Sequence, residues 1–403
     1  MKAVTQILTS TLLTLLLSFP LFTQAQTNQP KEEKKWFESL AIRGYSQVRY
    51  NGLFETNPDL GCEQCDKSWG GDNGFFLRRL RVILYGQITP RVYVYIQPDF
   101  ASSASSSAIH FGQIRDVYFD LGLDKKNELR LRIGQSKVPF GFENMQSSQN
   151  RLPLDRADAL NSAFSNERDL GMFLYWAPTE KRKLFSSLVK DGLKGSGDYG
   201  ILAFGIFNGQ TANKPELNQN RHVVARACYP FAWKNQILEF GIQAYAGHYT
   251  FTSSQLTSGV GINSNKTYID QRVAATWVLY PKPLGILAEY NVGRGPEFDV
   301  LQDSITTQKL SGGYVTLSYK WDQPSYSLIP FVRYQKYSGG KKHELDARSY
   351  DVEDMEIGTE WQFGKNFELV ATYTFSKRRY EDFAARDNKQ KGQLLRLQAQ
   401  INF

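Results

Sequence analysis

The chain has 403 residues, a formal net charge of +8 and a mean hydropathy of −0.43. Beyond the first 25 residues it contains no apolar run of the ~20 residues that a membrane-spanning helix needs, which excludes a helical membrane protein. Aromatic residues nevertheless make up 14%, with 22 Tyr and 26 Phe. A polar average with many aromatic residues is typical of a transmembrane β-barrel, because the lumen-facing half of each strand dilutes the hydropathy.

The N-terminus predicts a secretory signal peptide over residues 1–25. Lys2 supplies the charged start, residues 7–17 are mostly Leu and Thr, and Ala25 offers a small residue before a cleavage site. A transmembrane anchor is the alternative, but the apolar stretch is shorter than the ~20 residues of a spanning helix. Residues 26–39 are charged, and we predict that they form a periplasmic lead-in to a barrel over residues 40–403.

Strand-like alternation begins at Leu40, where Ile42 and Val48 fall on one face and Arg43 and Arg49 on the other. Counted to the C-terminus, the alternating segments number about sixteen, an even number as expected for a single-chain outer-membrane barrel. Short connections alternate with long ones, which predicts periplasmic turns and extracellular loops. The long stretch at 178–198 breaks this alternation. Soluble β-sandwich domains are the alternative, but no linkers separate the segments.

One stretch, residues 134–169, has neither strand nor helix periodicity and exceeds the ~15 residues of an ordinary connection. Apolar residues such as Phe140 and Phe164 are spread along it and need burial, which argues against disorder. We therefore predict a loop that folds into the barrel and narrows the lumen. Its charged candidates for the constriction are Arg151, Arg156, Arg168, Glu143 and Asp155.

Those loop residues also have a purely structural interpretation. Arg151 and Arg156 could pair with Asp155 and Asp158 to hold the shape of the loop. Glu143 could anchor the loop to the barrel wall. The sequence pattern leaves both interpretations open.

Strand parity places a set of arginines toward the lumen, namely Arg43, Arg49, Arg79, Arg81, Arg130 and Arg132. The same parity turns an acidic set from later strands inward, namely Glu239, Glu289, Glu356, Glu360 and Glu368. Fixed cations in a narrow, low-dielectric pore attract anions, and the planar guanidinium suits oxyanions. Two functions stay open: an anion- or phosphate-selective diffusion channel, and a general diffusion porin for small hydrophilic solutes with a transverse field and weak ion preference.

Four stretches carry a resemblance to a known family: FFLRRLR at 75–81, YIQPDF at 95–100, LRIGQSKVPFG at 131–141 and NERDLG at 166–171. Together they resemble the phosphate-selective porin O and P family. The resemblance implies a homotrimer of sixteen-stranded barrels in the outer membrane of a Gram-negative bacterium, in contact with its lipid, with the third loop folded inward. It also implies rows of lumen arginines and a lysine cluster at the constriction, of which Lys137 is the one member that the sequence places. Small anions such as phosphate would be the solutes.

The last strand ends on Phe403, on the face predicted to meet lipid. A terminal aromatic residue there resembles the signal that bacterial outer-membrane barrels present to the assembly machinery. That machinery is therefore an expected partner.

Other chemistries find little support. Cys62 and Cys65 predict a local disulfide in the first external loop, since the compartment is oxidising and no redox-fold context surrounds them. The four histidines lack metal-ligand spacing and no glycine-rich phosphate cradle is present, so we predict no metal, no cofactor, no nucleic acid and no enzymatic activity. A barrel lipase and a surface adhesin are the alternatives from other classes. The lipase would need a Ser/His pair on the outer face, and the adhesin long loops rich in binding residues.

Overall fold

The structure is a computed structural model and describes residues 35–55, 74–100 and 112–403. Its strands form one antiparallel sheet that closes on itself, because the first strand pairs with both the second and the last. The two-residue strand Trp321–Asp322 and the long strand before it, Ser304–Tyr319, both pair with the strand Ser327–Gly340. The two share one position in the sheet, so the wall has 16 strand positions. The predicted closed, antiparallel 16-stranded barrel is confirmed.

The strands are β1 (Leu40–Glu55), β2 (Gly74–Thr89), β3 (Val92–Asp99), β4 (Gln113–Gly122), β5 (Leu129–Lys137), β6 (Arg168–Trp176), β7 (Leu202–Phe207), β8 (His222–Trp233), β9 (Gln236–Thr250), β10 (Thr267–Leu279), β11 (Leu284–Asp299), β12 (Ser304–Tyr319), β13 (Trp321–Asp322), β14 (Ser327–Gly340), β15 (Ser349–Phe363), β16 (Phe367–Glu381) and β17 (Asn388–Asn402). The helices are α1 (Phe142–Met145), α2 (Asp158–Asn161) and α3 (Thr179–Lys190). Short 3-10 helices lie at Trp36–Ser39, Ser253–Gln255 and Leu345–Ala347.

Side chains alternate between the lumen and the outer surface along each long strand. On β15, Asp354 and Glu356 are buried inside, whereas Met355 and Ile357 are exposed outside. This period of two is the geometry of a pleated strand. Aromatic side chains are also exposed outside near the short turns, as in the girdles of outer-membrane barrels, and they include Trp176, Trp233, Trp321, Trp361 and Phe363.

The barrel closes where the C-terminus meets β1. The amide of Gly44 donates to the carbonyl of Phe403 (2.7 Å), and the amide of Phe403 donates back to Gly44 (3.0 Å). A Cβ at Gly44 would lie 2.5 Å from the Phe403 ring and 2.5 Å from the Arg81 carbonyl oxygen. Glycine therefore lets the terminal ring pack flat over the seam.

The stretch at 178–198, which broke the predicted alternation, forms α3 and a returning segment, residues 191–198, hereafter the strap. Phe185 and Leu188 of α3 are buried in one apolar cluster with Phe142 of the long loop and Tyr280 of the wall. In the strap, the Lys194 ammonium lies 2.5 Å from a carboxylate oxygen of Glu360 on β15. This connection therefore folds into the end of the barrel that carries the short turns.

Removing the Lys194 charge tests that packing. Lys194→Met leaves Glu360 buried without its cation, and we expect a loss of about 3–5 kcal/mol in the free energy of unfolding. Urea unfolding in detergent micelles, followed by circular dichroism, measures it. Lys183→Met removes an exposed cation from α3 and is the matched control. Equal losses for the two variants would contradict the strap's role.

Candidate pore and constriction loop

The segment between β5 and β6, residues 138–167, lies inside the barrel. Its start differs from the prediction, because Gly134–Lys137 continues β5 and pairs as far as Lys137 with Arg168 of β6. Phe140 and Phe164 are both buried, and their rings lie 4.8 and 5.0 Å from that of Tyr245 on β9. Apolar contacts thus hold this segment, hereafter the constriction loop, against the inner face of the wall at β9.

Asp158 at the start of α2 attaches the constriction loop to the far wall. Its carboxylate lies 2.6 Å from the Lys341 ammonium and 3.1 Å from the Arg378 guanidinium. Its amide donates to the side-chain oxygen of Gln335 (2.8 Å). Burial alone would raise the pKa of Asp158, but the charges of Arg378 and Lys341 outweigh it and hold the pKa below its ordinary value.

Asp155 makes a second attachment, to the seam of the barrel. Its carboxylate lies 2.8 Å from Arg49, 2.7 Å from Arg396 and 3.4 Å from Arg78. Arg49 is fully buried by these contacts and also donates to Gln398. The structure therefore places Arg49 beneath the constriction loop and away from open lumen.

The basic residues of the loop gather on one carboxylate. Arg151, Arg156 and Arg168 lie 3.3, 3.1 and 2.6 Å from the oxygens of Glu167. The alternative pairing of Arg151 and Arg156 with Asp155 and Asp158 is wrong. Arg49 pairs with Asp155 and Lys341 pairs with Asp158 instead. The cluster shapes the base of the loop.

Glu143 on α1 contacts the wall. Its carboxylate lies 3.3 Å from the guanidinium of Arg333 on β14 and accepts from the Ala157 amide at 2.8 Å. The first contact crosses to the wall and the second stays within the loop. The first contact fits the anchoring alternative for this residue.

An open cavity of about 690 Å³ lies between strands β1–β5, residues 145–150 of the constriction loop, and α3 with its strap. Eight basic side chains border it, namely Arg43, Arg91, Arg130, Arg132, Lys137, Arg168, Arg182 and Lys190. Three acidic side chains do so as well, Asp116, Asp120 and Asp198. The cavity is therefore basic overall and lies on the side of the barrel where the arginines were predicted.

The structure divides the predicted pore-lining set. Arg43, Arg130, Arg132 and Lys137 border the cavity, whereas Arg49, Arg79 and Arg81 do not. Arg79 is buried and donates to Gln47, and Arg81 is held by Asp99 at 2.8 Å and by the hydroxyl of Tyr45 at 2.7 Å. Strand parity gave the correct face for these residues, but the inserted loop covers that part of it.

Several cavity residues were not predicted. Arg91 lies in a short turn, and Arg182, Lys190 and Asp198 come from α3 and the strap. Asp198 lies 2.9 Å from both Arg130 and Arg182. A strand pattern carries no signal for residues that reach the lumen from a connection, although the basic composition of 178–198 is visible in the sequence.

The predicted inward-facing acids are buried on the opposite side and already have partners. Glu289 accepts from the Phe142 amide (2.7 Å) and from Tyr314 (2.8 Å). Glu239 lies 3.1 Å from Arg226, and Glu360 holds Lys194. The constriction loop and the strap thus cover much of the acidic wall and leave open the part of the basic wall that borders the cavity.

These features define a porin: a closed barrel with a polar lumen that an inserted loop narrows. The family model for phosphate-selective porin O and P matches residues 59–403, and the chain belongs to that family. It is an outer-membrane porin of the Gram-negative type. No helix within the described residues is long and apolar enough to cross a membrane.

Solved porin structures share the fold at low sequence identity. OmpF of Salmonella typhi in complex with daunomycin has a TM-score of 0.54 and 14% identity, covering 90% of this chain and 97% of that one. The outer-membrane channel DcaP of Acinetobacter baumannii has a TM-score of 0.51 and 14% identity with the same coverage. An anion-selective porin from Comamonas acidovorans has a TM-score of 0.51 and 9% identity, covering 91% and 99%. A search of curated protein sequences finds no match.

Asp158→Asn tests the attachment of the constriction loop. It removes the charge partner of buried Lys341 and Arg378, and we expect a loosened loop with higher and noisier single-channel conductance in KCl. The cost to the docked loop is about 3–5 kcal/mol, as for other broken buried ion pairs. Asp322→Asn removes the same charge from an exposed side chain and is the control. Unchanged conductance in Asp158→Asn would refute the attachment.

The lowered pKa of Asp158 gives a pH dependence. The ion pairs contribute fully above the ordinary aspartate pKa of about 3.9, and they are lost only as the pH falls through the lower folded-state value. We therefore expect a constant conductance from about pH 7 down to about pH 4. Single-channel recordings across this range measure it, and a rise in conductance between about pH 6 and pH 5 would count against the assignment.

Proposed function

We propose that this porin is an anion-selective passive diffusion channel whose solutes include phosphate. The observation that carries the proposal is the position of the cavity, which borders the basic wall while the constriction loop and the strap cover the acidic wall. A cavity with an excess of fixed cations between low-dielectric walls concentrates anions and repels cations.

The ion-pair partners of the individual side chains also support a preference for anions. Among the described residues, no carboxylate lies within ion-pair distance of Arg43, Arg91 or Lys137. The Lys137 ammonium instead donates to the backbone carbonyls of Met145 (3.2 Å) and Gln146. Its hydrogen-bond partners are therefore neutral carbonyls, and no carboxylate of the described residues pairs with it at the edge of the constriction loop. A permeating oxyanion would supply the missing counter-charge.

A general diffusion porin with weak ion preference is the second candidate. Other lining cations are already neutralised, since Arg132 lies 2.7 Å from Asp120 and Arg168 lies 2.9 Å from Asp116. Paired charges create a local field that orders water and give little net attraction for anions. The balance between paired and unpaired cations therefore decides between the two candidates.

The reversal potential in a planar bilayer under a KCl gradient tests the proposal. We expect a clear preference for chloride in the wild type and a weaker one in Lys137→Gln. Phosphate added to the bath should reduce the chloride current of the wild type. Lys234→Gln, in the exposed turn between β8 and β9, changes the net charge equally and should leave the potential unchanged. A reversal potential near zero in the wild type would favour the general diffusion porin.

Some expectations stay predictions. They are the signal peptide over residues 1–25, the homotrimer, and recognition of Phe403 by the assembly machinery. Cys62 and Cys65, with their predicted disulfide, lie outside the described residues.

A further inference from the structure

The cavity wall contains aromatic rings as well as charges. Four tyrosines border it, and this set is called the tyrosine platform below: Tyr93, Tyr95, Tyr118 and Tyr199. Each is half-buried. Met145 of the constriction loop and Val189 of α3 add apolar surface to the same cavity.

The platform has a fixed geometry. Tyr95 and Tyr118 are direct partners on β3 and β4, and their rings stack with centroids 5.1 Å apart and planes 13° apart. Gly134 faces Tyr118 from β5, where an added Cβ would approach the Tyr118 Cα to 2.9 Å. The absence of a side chain at this position, which also has φ of +127°, lets β5 approach the backbone of Tyr118 closely.

A cation is built into the same surface. The guanidinium carbon of Arg132 lies 3.8 Å from the centroid of Tyr118 and 5.7 Å from that of Tyr199. Asp120 fixes the guanidinium through hydrogen bonds of 2.7 and 2.9 Å. Stacking on rings is favourable for a guanidinium and leaves its edge to bind acceptors. The platform therefore places aromatic rings beside a fixed positive charge at the edge of the cavity.

Small inorganic anions can use the charges of this cavity but gain nothing from the rings. The cavity of about 690 Å³ has the size of a site for small organic molecules, which commonly fall in the range of ~300–1,000 Å³. Arg130 pairs with Asp198 through Nη2, and its Nε, which has no hydrogen-bond partner within the described residues, adds a further donor. A solute with a flat ring and a carboxylate matches both parts of the surface.

We propose that the organic solutes preferred by this channel are aromatic carboxylates. The ring lies against the tyrosine platform, and the carboxylate is held by the cations around Arg130 and Lys137. Binding stays loose enough for passage, because the contacts are spread over several weak sites. The proposal rests on the proposed function in one respect, the net attraction for anions.

Current block of the full-length channel in planar bilayers tests the proposal. Benzoate, cyclohexanecarboxylate and acetate are added in turn to KCl, and the concentration that halves the chloride current is measured for each. Benzoate and cyclohexanecarboxylate share one charge and a similar size but differ in planarity. We expect half-block by benzoate at a concentration about threefold to tenfold lower, the range of one aromatic contact.

Variants of single tyrosines test whether the preference for benzoate arises at the tyrosine platform. Tyr95→Leu and Tyr118→Leu, made singly, should bring the benzoate value close to that of cyclohexanecarboxylate. Tyr290→Leu alters a tyrosine that is 56% exposed on the outer surface and should keep the wild-type difference. Equal block of the wild type by the two ring acids would overturn the proposal without any variant. That result would leave anion selectivity standing, whereas a reversal potential near zero would defeat the proposed function independently of the ring comparison.

Discussion

The structure depends on buried ion pairs that join the constriction loop to the barrel wall. Asp155 and Asp158 reach cations on β1, β16 and β17 and in the β14–β15 connection, far from the loop's own origin between β5 and β6. Bringing charges out of water is costly, so such pairs are favourable only with close geometry and further hydrogen bonds. Here these contacts, with the apolar packing of Phe140 and Phe164, fix a long irregular segment in one position.

That position decides which wall of the barrel faces the open space. Without the constriction loop and the strap, basic strands would face acidic strands across the lumen, which is a transverse arrangement. With both in place, Glu289 and Glu360 are occupied by groups of the protein itself. The remaining cavity borders the arginines of β1–β5. Under the proposed function, selection by charge would depend on which side is covered as much as on which residues are present.

The same cavity shows how two kinds of recognition can share one surface. Arg132 is held by Asp120 and also stacks on Tyr118. A neutralised arginine contributes little net field, yet it still offers a flat, polar surface beside the tyrosine rings. Under the proposed function, cations without a paired carboxylate, such as Lys137, would supply the long-range attraction for anions. A porin built this way would draw anions in by charge and distinguish among them by shape.

The sequence by itself determined the barrel. Alternation with a period of two, an even strand number and the stretches near 75–81 and 131–141 were sufficient for the fold and the family, because each strand must face lipid on one side and water on the other. The sequence also located the inserted loop to within four residues at its start, because an apolar segment of that length needs burial.

Only the tertiary structure decided which charged side chains stay open to the lumen. Strand parity predicts which face of the wall a residue occupies. Arg43 and Arg49 share the inner face, but the Asp155 carboxylate covers only Arg49, and Arg43 borders the cavity. Arg182 and Asp198 reach the lumen from a connection whose path depends on packing against Phe142 and Tyr280, contacts between residues far apart in the chain that no local pattern encodes.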